Sequence, residues 1–276
     1  MIQTTRAVRR AQCVVVAFGL ALLAAPALAE TGSLPALPDL PATEPVGLGA
    51  KEACDTAPDI RLWHLPPALM LLSLSAPCRA GEPLQISHAA LGFAVVLDDK
   101  GRFTATIPAL ADPAELSVAF GDGAQVTASV PVPDLVSVTR LVLNARAAPG
   151  LHLSADLPAT GAQGPRRVDH QTPGLPTLAG GGFLTRLGDA ASPAPHLAEV
   201  LTLPVASEGA QLAVTAEVGP ANCDRDLLLM LALGKAAQPV ATGAISLSMP
   251  TCDASGERLV IGDDPLRRLL TVAAAP

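Results

Sequence analysis

Apolar and polar residues alternate with period two along most of the chain, and no sustained helical period interrupts them. Phe103, Ala105 and Ile107 alternate with Arg102, Thr104 and Thr106, which sends one set of side chains to a buried sheet face and the other to water. The same reading predicts strands at 60–62, 70–75, 93–97, 116–120 and 126–130. Asp98-Asp99-Lys100-Gly101 and Gly121-Asp122-Gly123 supply turns with glycine where a positive φ is needed, so each is expected to close a hairpin.

Pro131-Val132-Pro133-Asp134 breaks the pattern and marks a domain boundary. Beyond it, strands are expected at 136–143, 151–157, 201–205, 212–218, 226–233 and 243–249. An insert at 158–195, rich in Gly, Pro and polar residues, has no clear sheet period and reads as a functional or disordered loop. Asp264 and Pro265 are expected to open a short helix. Short strands with frequent turns predict an all-β protein of two β-sandwich domains, Ig-like or Greek-key, at 54–134 and 135–276.

The first 29 residues change the picture. Arg6, Arg9 and Arg10 precede an apolar run from Val14 to Ala25, and Ala27-Leu28-Ala29 ends it, as in a cleaved secretory signal. Ala11-Gln12 after the arginine pair favours the general export route over the twin-arginine one. Pro35, Pro38, Pro41 and Pro45 make 30–53 a Pro-rich linker. Removing the signal with its three Arg moves the formal charge from −7 to −10, a balance that argues against nucleic acid or anionic lipid as partner. No later stretch has the length of a membrane-spanning helix. The expected destination is the periplasm or the exterior, and the expected partner is another envelope or secreted protein.

Cys54, Cys78, Cys223 and Cys252 survive cleavage, an even number in an oxidising compartment. Cys223 precedes one predicted strand and Cys252 follows its neighbour, so an antiparallel pair brings them together, and the same logic joins Cys54 to Cys78. The two frames echo each other: Cys54-Asp55 leads to Leu72-Ser73-Leu74-Ser75 and Pro77-Cys78, while Cys223-Asp224 leads to Leu247-Ser248, Pro250 and Cys252. Duplication and chance alternation both account for that echo. Thiolate metal sites are not expected without C-x-x-C spacing, and no cofactor is.

The stretch from Leu97 to Pro108 resembles the strand-turn-strand of carboxypeptidase regulatory-like and transthyretin-like domains, which implies a Greek-key sandwich. Gly180-Gly181-Gly182-Phe183-Leu184-Thr185-Arg186-Leu187-Gly188-Asp189 and the Asn222-Cys223 region resemble a poorly characterised group of exported bacterial proteins that automatic labelling sometimes calls translocase. The chain carries no Walker motif to make such a label mechanistic.

Hydrolase signatures are missing: there is no G-x-S-x-G, S-x-x-K or H-E-x-x-H. His64, His88, His152, His170 and His196 read as surface or loop residues. Asp169-His170 is the one neighbouring acid-base pair, and Ser192 or Thr185 would be its nucleophile in a hydrolase built on the insert. The triple glycine could turn amides to an anion with Arg186 as clamp. Asp98-Asp99 and Asp263-Asp264 read as turn and helix cap rather than calcium ligands. Trp63, the single tryptophan, is expected in the first core beside Ile60 and Leu62. The leading expectation is a non-catalytic binding module with Asp169, His170, Phe183, Arg186 and Asp189 at the contact surface; the rival is a secreted hydrolase.

Overall fold

The computed structural model describes residues 56–146, 150–159, 164–205, 207, 209–235, 238–266 and 268. The expected signal, the linker and Cys54 lie outside the described residues. In chain order the first strands are β1 (Asp59–Leu65), β2 (Leu69–Ser75), β3 (Pro83–His88), β4 (Leu91–Val96), β5 (Arg102–Pro108), β6 (Ala114–Ala119) and β7 (Gln125–Val130). Sheet A has the order β1-β2-β5 and sheet B the order β4-β3-β6-β7, every pair antiparallel. Met70, Leu72, Leu74, Ile86, Phe93, Leu116 and Val118 face one another in a common core, as sandwich packing of two alternating faces requires.

Gly121-Asp122-Gly123 closes the β6-β7 hairpin as predicted. The Asp98–Gly101 turn does not close one: β4 belongs to sheet B and β5 to sheet A, so the turn carries the chain across the sandwich. Asp98 folds it by accepting the amides of Lys100 (2.9 Å) and Arg102 (2.7 Å). Gly101 is at φ +70°, and a Cβ there would overlap the Ala76 carbonyl.

The remaining strands are β8 (Val138–Arg146), β9 (Leu151–Leu157), β10 (Arg166–Val168), β11 (Phe183–Leu187), β12 (His196–Pro204), β13 (Gln211–Glu217), β14 (Asp226–Lys235), β15 (Ala241–Ser248) and β16 (Arg258–Ile261). Sheet C runs β11-β12-β8-β14-β15 and sheet D runs β10-β9-β13-β16. Leu141, Leu143, Leu201 and Leu229 of sheet C pack on Leu153, Val214 and Ala216 of sheet D. β10 and β11 both come from the predicted insert, so that stretch supplies sheet edges. The helical turn opens at Asp263, one residue before the predicted cap, and Asp263 accepts the Leu212 amide. No helix among the described residues is long and apolar enough to cross a membrane.

Cys223 and Cys252 are bonded, with Cα atoms 5.0 Å apart, at the open end of the β14-β15 pair. β1 and β2 form the matching antiparallel pair ahead of Cys78, and Cys78 is not a free thiol.

Sheet C has apolar residues on both faces. Its outer face places Val142, Ala198, Val200 and Ala232 in the core of sheets A and B. Asn144 bridges the join, accepting the Gly92 amide (3.0 Å) and donating to the Ala90 carbonyl (2.9 Å). Arg140, 1% exposed, donates to the carbonyls of Ala109, Pro67 (3.0 Å) and Ala68 (2.7 Å) and to the Thr202 hydroxyl (3.2 Å). Burial lowers its pKa to about 9, with Asp134 opposing, so it is a cation at neutral pH. Strands from the two halves of the chain thereby belong to one compact unit.

Candidate functional site

β10 is three residues long and stops at Val168, opposite Ala155 of β9. The next bonding position on that side of β9, Leu153, is left without a strand neighbour. Glu199 fills the gap from sheet C: its Oε2 accepts the Leu153 amide at 2.7 Å. A backbone donor left unpaired at a buried edge is costly, which gives a carboxylate a place in a buried strand. Its Oε1 accepts from His152 Nδ1 (2.9 Å) and pairs with Arg186 Nε of β11 (3.3 Å). A carboxylate only accepts, so Nδ1 of His152 carries the proton and Nε2 is its open position.

His170 leaves the end of β10 and stacks on His152, ring centroids 3.9 Å apart and planes inclined by 20°. Asp169 shapes the turn that delivers it. Its carboxylate accepts the amides of Gln171 (2.9 Å) and Thr172 (2.8 Å), the Thr172 hydroxyl (2.9 Å) and Arg167 Nε (3.0 Å). Burial pushes the carboxyl pKa up, but these donors outweigh it and hold the group at about 2. Arg167 also forks onto Asp156 and covers the buried Ser154 hydroxyl (3.0 Å).

Two hollows share His152 and Glu217 in their walls. One, about 430 Å³, has a largely aliphatic lining that includes Leu143, Leu151 and Leu197, with Arg186 and Glu199 as polar members. The other, about 290 Å³, is polar and includes Arg167, Asp169, His170 and Arg258. Arg258 pairs with Glu217 at 3.2 Å, and both arginines at the mouths, Arg186 and Arg258, are exposed.

Asp169, His170 and Arg186 are therefore brought into one neighbourhood. Phe183 is not: it is 2% exposed at the start of β11, paired with Thr202. Asp189 caps the following turn through the Ala191 amide (2.8 Å), while its own amide donates to Ala94 of sheet B (2.8 Å). The triple glycine is occupied by a side chain of the chain itself. It wraps the Arg166 guanidinium, which donates to the Gly182 carbonyl at 2.6 Å, while Arg186 is taken by Glu199. Among the described residues no hydroxyl hydrogen-bonds either stacked imidazole; Thr185 lies within β11 and Ser192 is buried in the loop after it.

Three histidines depart from the surface assignment. His152 is in the site, and His88 and His196 are 2% and 7% exposed. His88 donates from Nδ1 to Glu115 O (2.7 Å) and accepts the Leu110 amide at Nε2 (2.7 Å), and burial lowers its pKa. Trp63 is 45% exposed, on the opposite face of β1 from Ile60 and Leu62. Cys223, Asp224 and Cys252 place ligand-type atoms together, but the two sulfurs are joined in the disulfide and are not thiolates. Compared with family models, curated proteins and solved structures, the chain matches none.

Proposed function

We propose that the chain is an exported, non-catalytic binding module of the bacterial envelope, periplasmic or released, which docks another envelope or secreted protein at the hollowed edge between sheets C and D. The observation that carries this reading is the engagement of Asp169: four hydrogen bonds tie its carboxylate to its own turn, so it positions His170 rather than activating it. Exposed Arg186 and Arg258 beside an aliphatic hollow have the composition of protein contact surfaces, where arginine is enriched around an apolar centre. Affinity capture of the tagged mature chain from its own envelope tests this. One partner is expected to be recovered reproducibly, and Arg186→Glu combined with His170→Ala is expected to lose it while Arg61→Glu retains it. Equal recovery by all three proteins would overturn the assignment.

A second reading, a secreted hydrolase, is favoured by one observation: Glu199 fixes the His152 tautomer with Nε2 open, the arrangement a general base requires. Turnover of an ester, amide or phosphoester panel that disappears in His152→Ala would establish it in place of the binder.

A further inference from the structure

An unpaired strand at a sheet edge offers its free amides and carbonyls to any second strand, and proteins usually blunt such edges with charge or cover. The eight edge strands here follow that rule with one exception. β1 carries Asp59 and Arg61, β5 carries Arg102, and β10, β11 and β16 carry Arg167, Arg186 and Arg258. β4 packs against β12 and β8 of sheet C, and β7, though uncharged, has β1 alongside it. β15 has neither device. Its eight residues, Ala-Thr-Gly-Ala-Ile-Ser-Leu-Ser, include no charge and no proline, and among the described residues it bonds only to β14. Beside it on the outer face of sheet C, Leu228 and Met230 are 64% and 44% exposed, opposite Ser246 and Ala244.

The sequence of β15 is self-complementary. With Ile245 opposite itself about a two-fold axis, Gly243 faces Leu247 of the second copy, small against large, on the side toward the core. Ala244 faces Ser246 and Thr242 faces Ser248 on the outer side. Directly opposed residues then share a face, as antiparallel pairing demands, and no like charges meet. We propose that two copies of this chain pair through β15, joining two five-stranded sheets C into one ten-stranded sheet with an isologous interface. An extended peptide of another protein would use the same edge, but the fit of Gly243 against Leu247 in a register without charge favours a second copy.

Sedimentation velocity of the mature, disulfide-intact chain at physiological salt tests the pairing. A dimer is expected at about 100 μM, a range in which a one-strand interface is populated. Ser246→Lys or, independently, Thr242→Lys, each checked for an unchanged melting temperature, is expected to weaken it by at least about tenfold, since a lysine on an edge strand opposes pairing with a second strand. A nitroxide at Ser248 is expected to lie roughly 20 Å from its symmetry mate, six residues out of register at about 3.4 Å each. A monomer at that concentration, a dimer indifferent to both lysines, or a spin-label distance far from that value would each overturn the proposal; a peptide occupant would leave the free chain monomeric.

Discussion

Arg140 is a cation held by carbonyl groups, with charge supplied only at a distance by Asp134. Arg140→Met removes the guanidinium donor from the buried carbonyls of Pro67 and Ala109, while Ala68 keeps the Ala109 amide; at about 1–3 kcal/mol for a typical buried acceptor, a loss of about 3 kcal/mol is expected by urea titration. Gly101→Ala is expected to cost more than about 2 kcal/mol, because the residue combines φ +70° with the Ala76 carbonyl where a methyl would go. The glycine's role could be read from Asp-Asp-Lys-Gly between two strands, since the turn chemistry is local. Trp63 shows the opposite case. Period two puts it on the face opposite Ile60 and Leu62, so nearness to them in sequence does not bring it into their core. Glu199 is legible in principle as a charge inside the run Leu-Ala-Glu-Val-Leu, but it lies ahead of the strand expected at 201–205.

Strand length governs the site at the next scale. Because β10 ends at Val168, an amide of β9 is left for Glu199, and His170 is free to leave the sheet and stack on His152. Glu199→Ala is expected to destabilise the chain by about 2–3 kcal/mol, the range for charge-assisted bonds to a buried group, with the loss of protection from hydrogen exchange concentrated at Leu153. The β14-β15 pair and its disulfide were readable because strand pairing alone brings Cys223 to Cys252. That bond spans 29 residues, and Cys223→Ser with Cys252→Ser is expected to lower stability by about 3.5 kcal/mol in the chain-entropy model. β3, β10, β11 and β16 escaped the pattern for physical reasons. The third inward position of β3 is His88, whose polarity masks the alternation; β10 and β16 have three and four residues and begin with arginine; and β11 is short and preceded by glycines that read as loop.

For the whole molecule, the two-sided burial of sheet C joins the two cores, and the imidazoles of His88 and His196 are buried. Burial lowers the pKa of both His88 and His196 from 6.5, the latter with help from Arg146. The unfolded chain therefore takes up protons first as pH falls through about 6.5, so the stability these groups contribute is complete above that value and declines below it. Melting temperature is expected to fall between pH 7 and pH 5, and His88→Gln, which keeps a donor and an acceptor without titrating, is expected to flatten that slope. The all-β architecture was legible from alternation because it needs only local pattern. The neighbourhood of His152, His170, Arg186 and Glu199 was only half legible, since it is assembled by pairing between strands far apart in sequence. Docking at this edge is tested most directly by a photocrosslinking amino acid placed at Arg186, and separately at Arg61, in cells exporting the chain. A discrete crosslinked species from position 186 and none from position 61 is the expected result; no species from 186, or the same ladder from both, would contradict it.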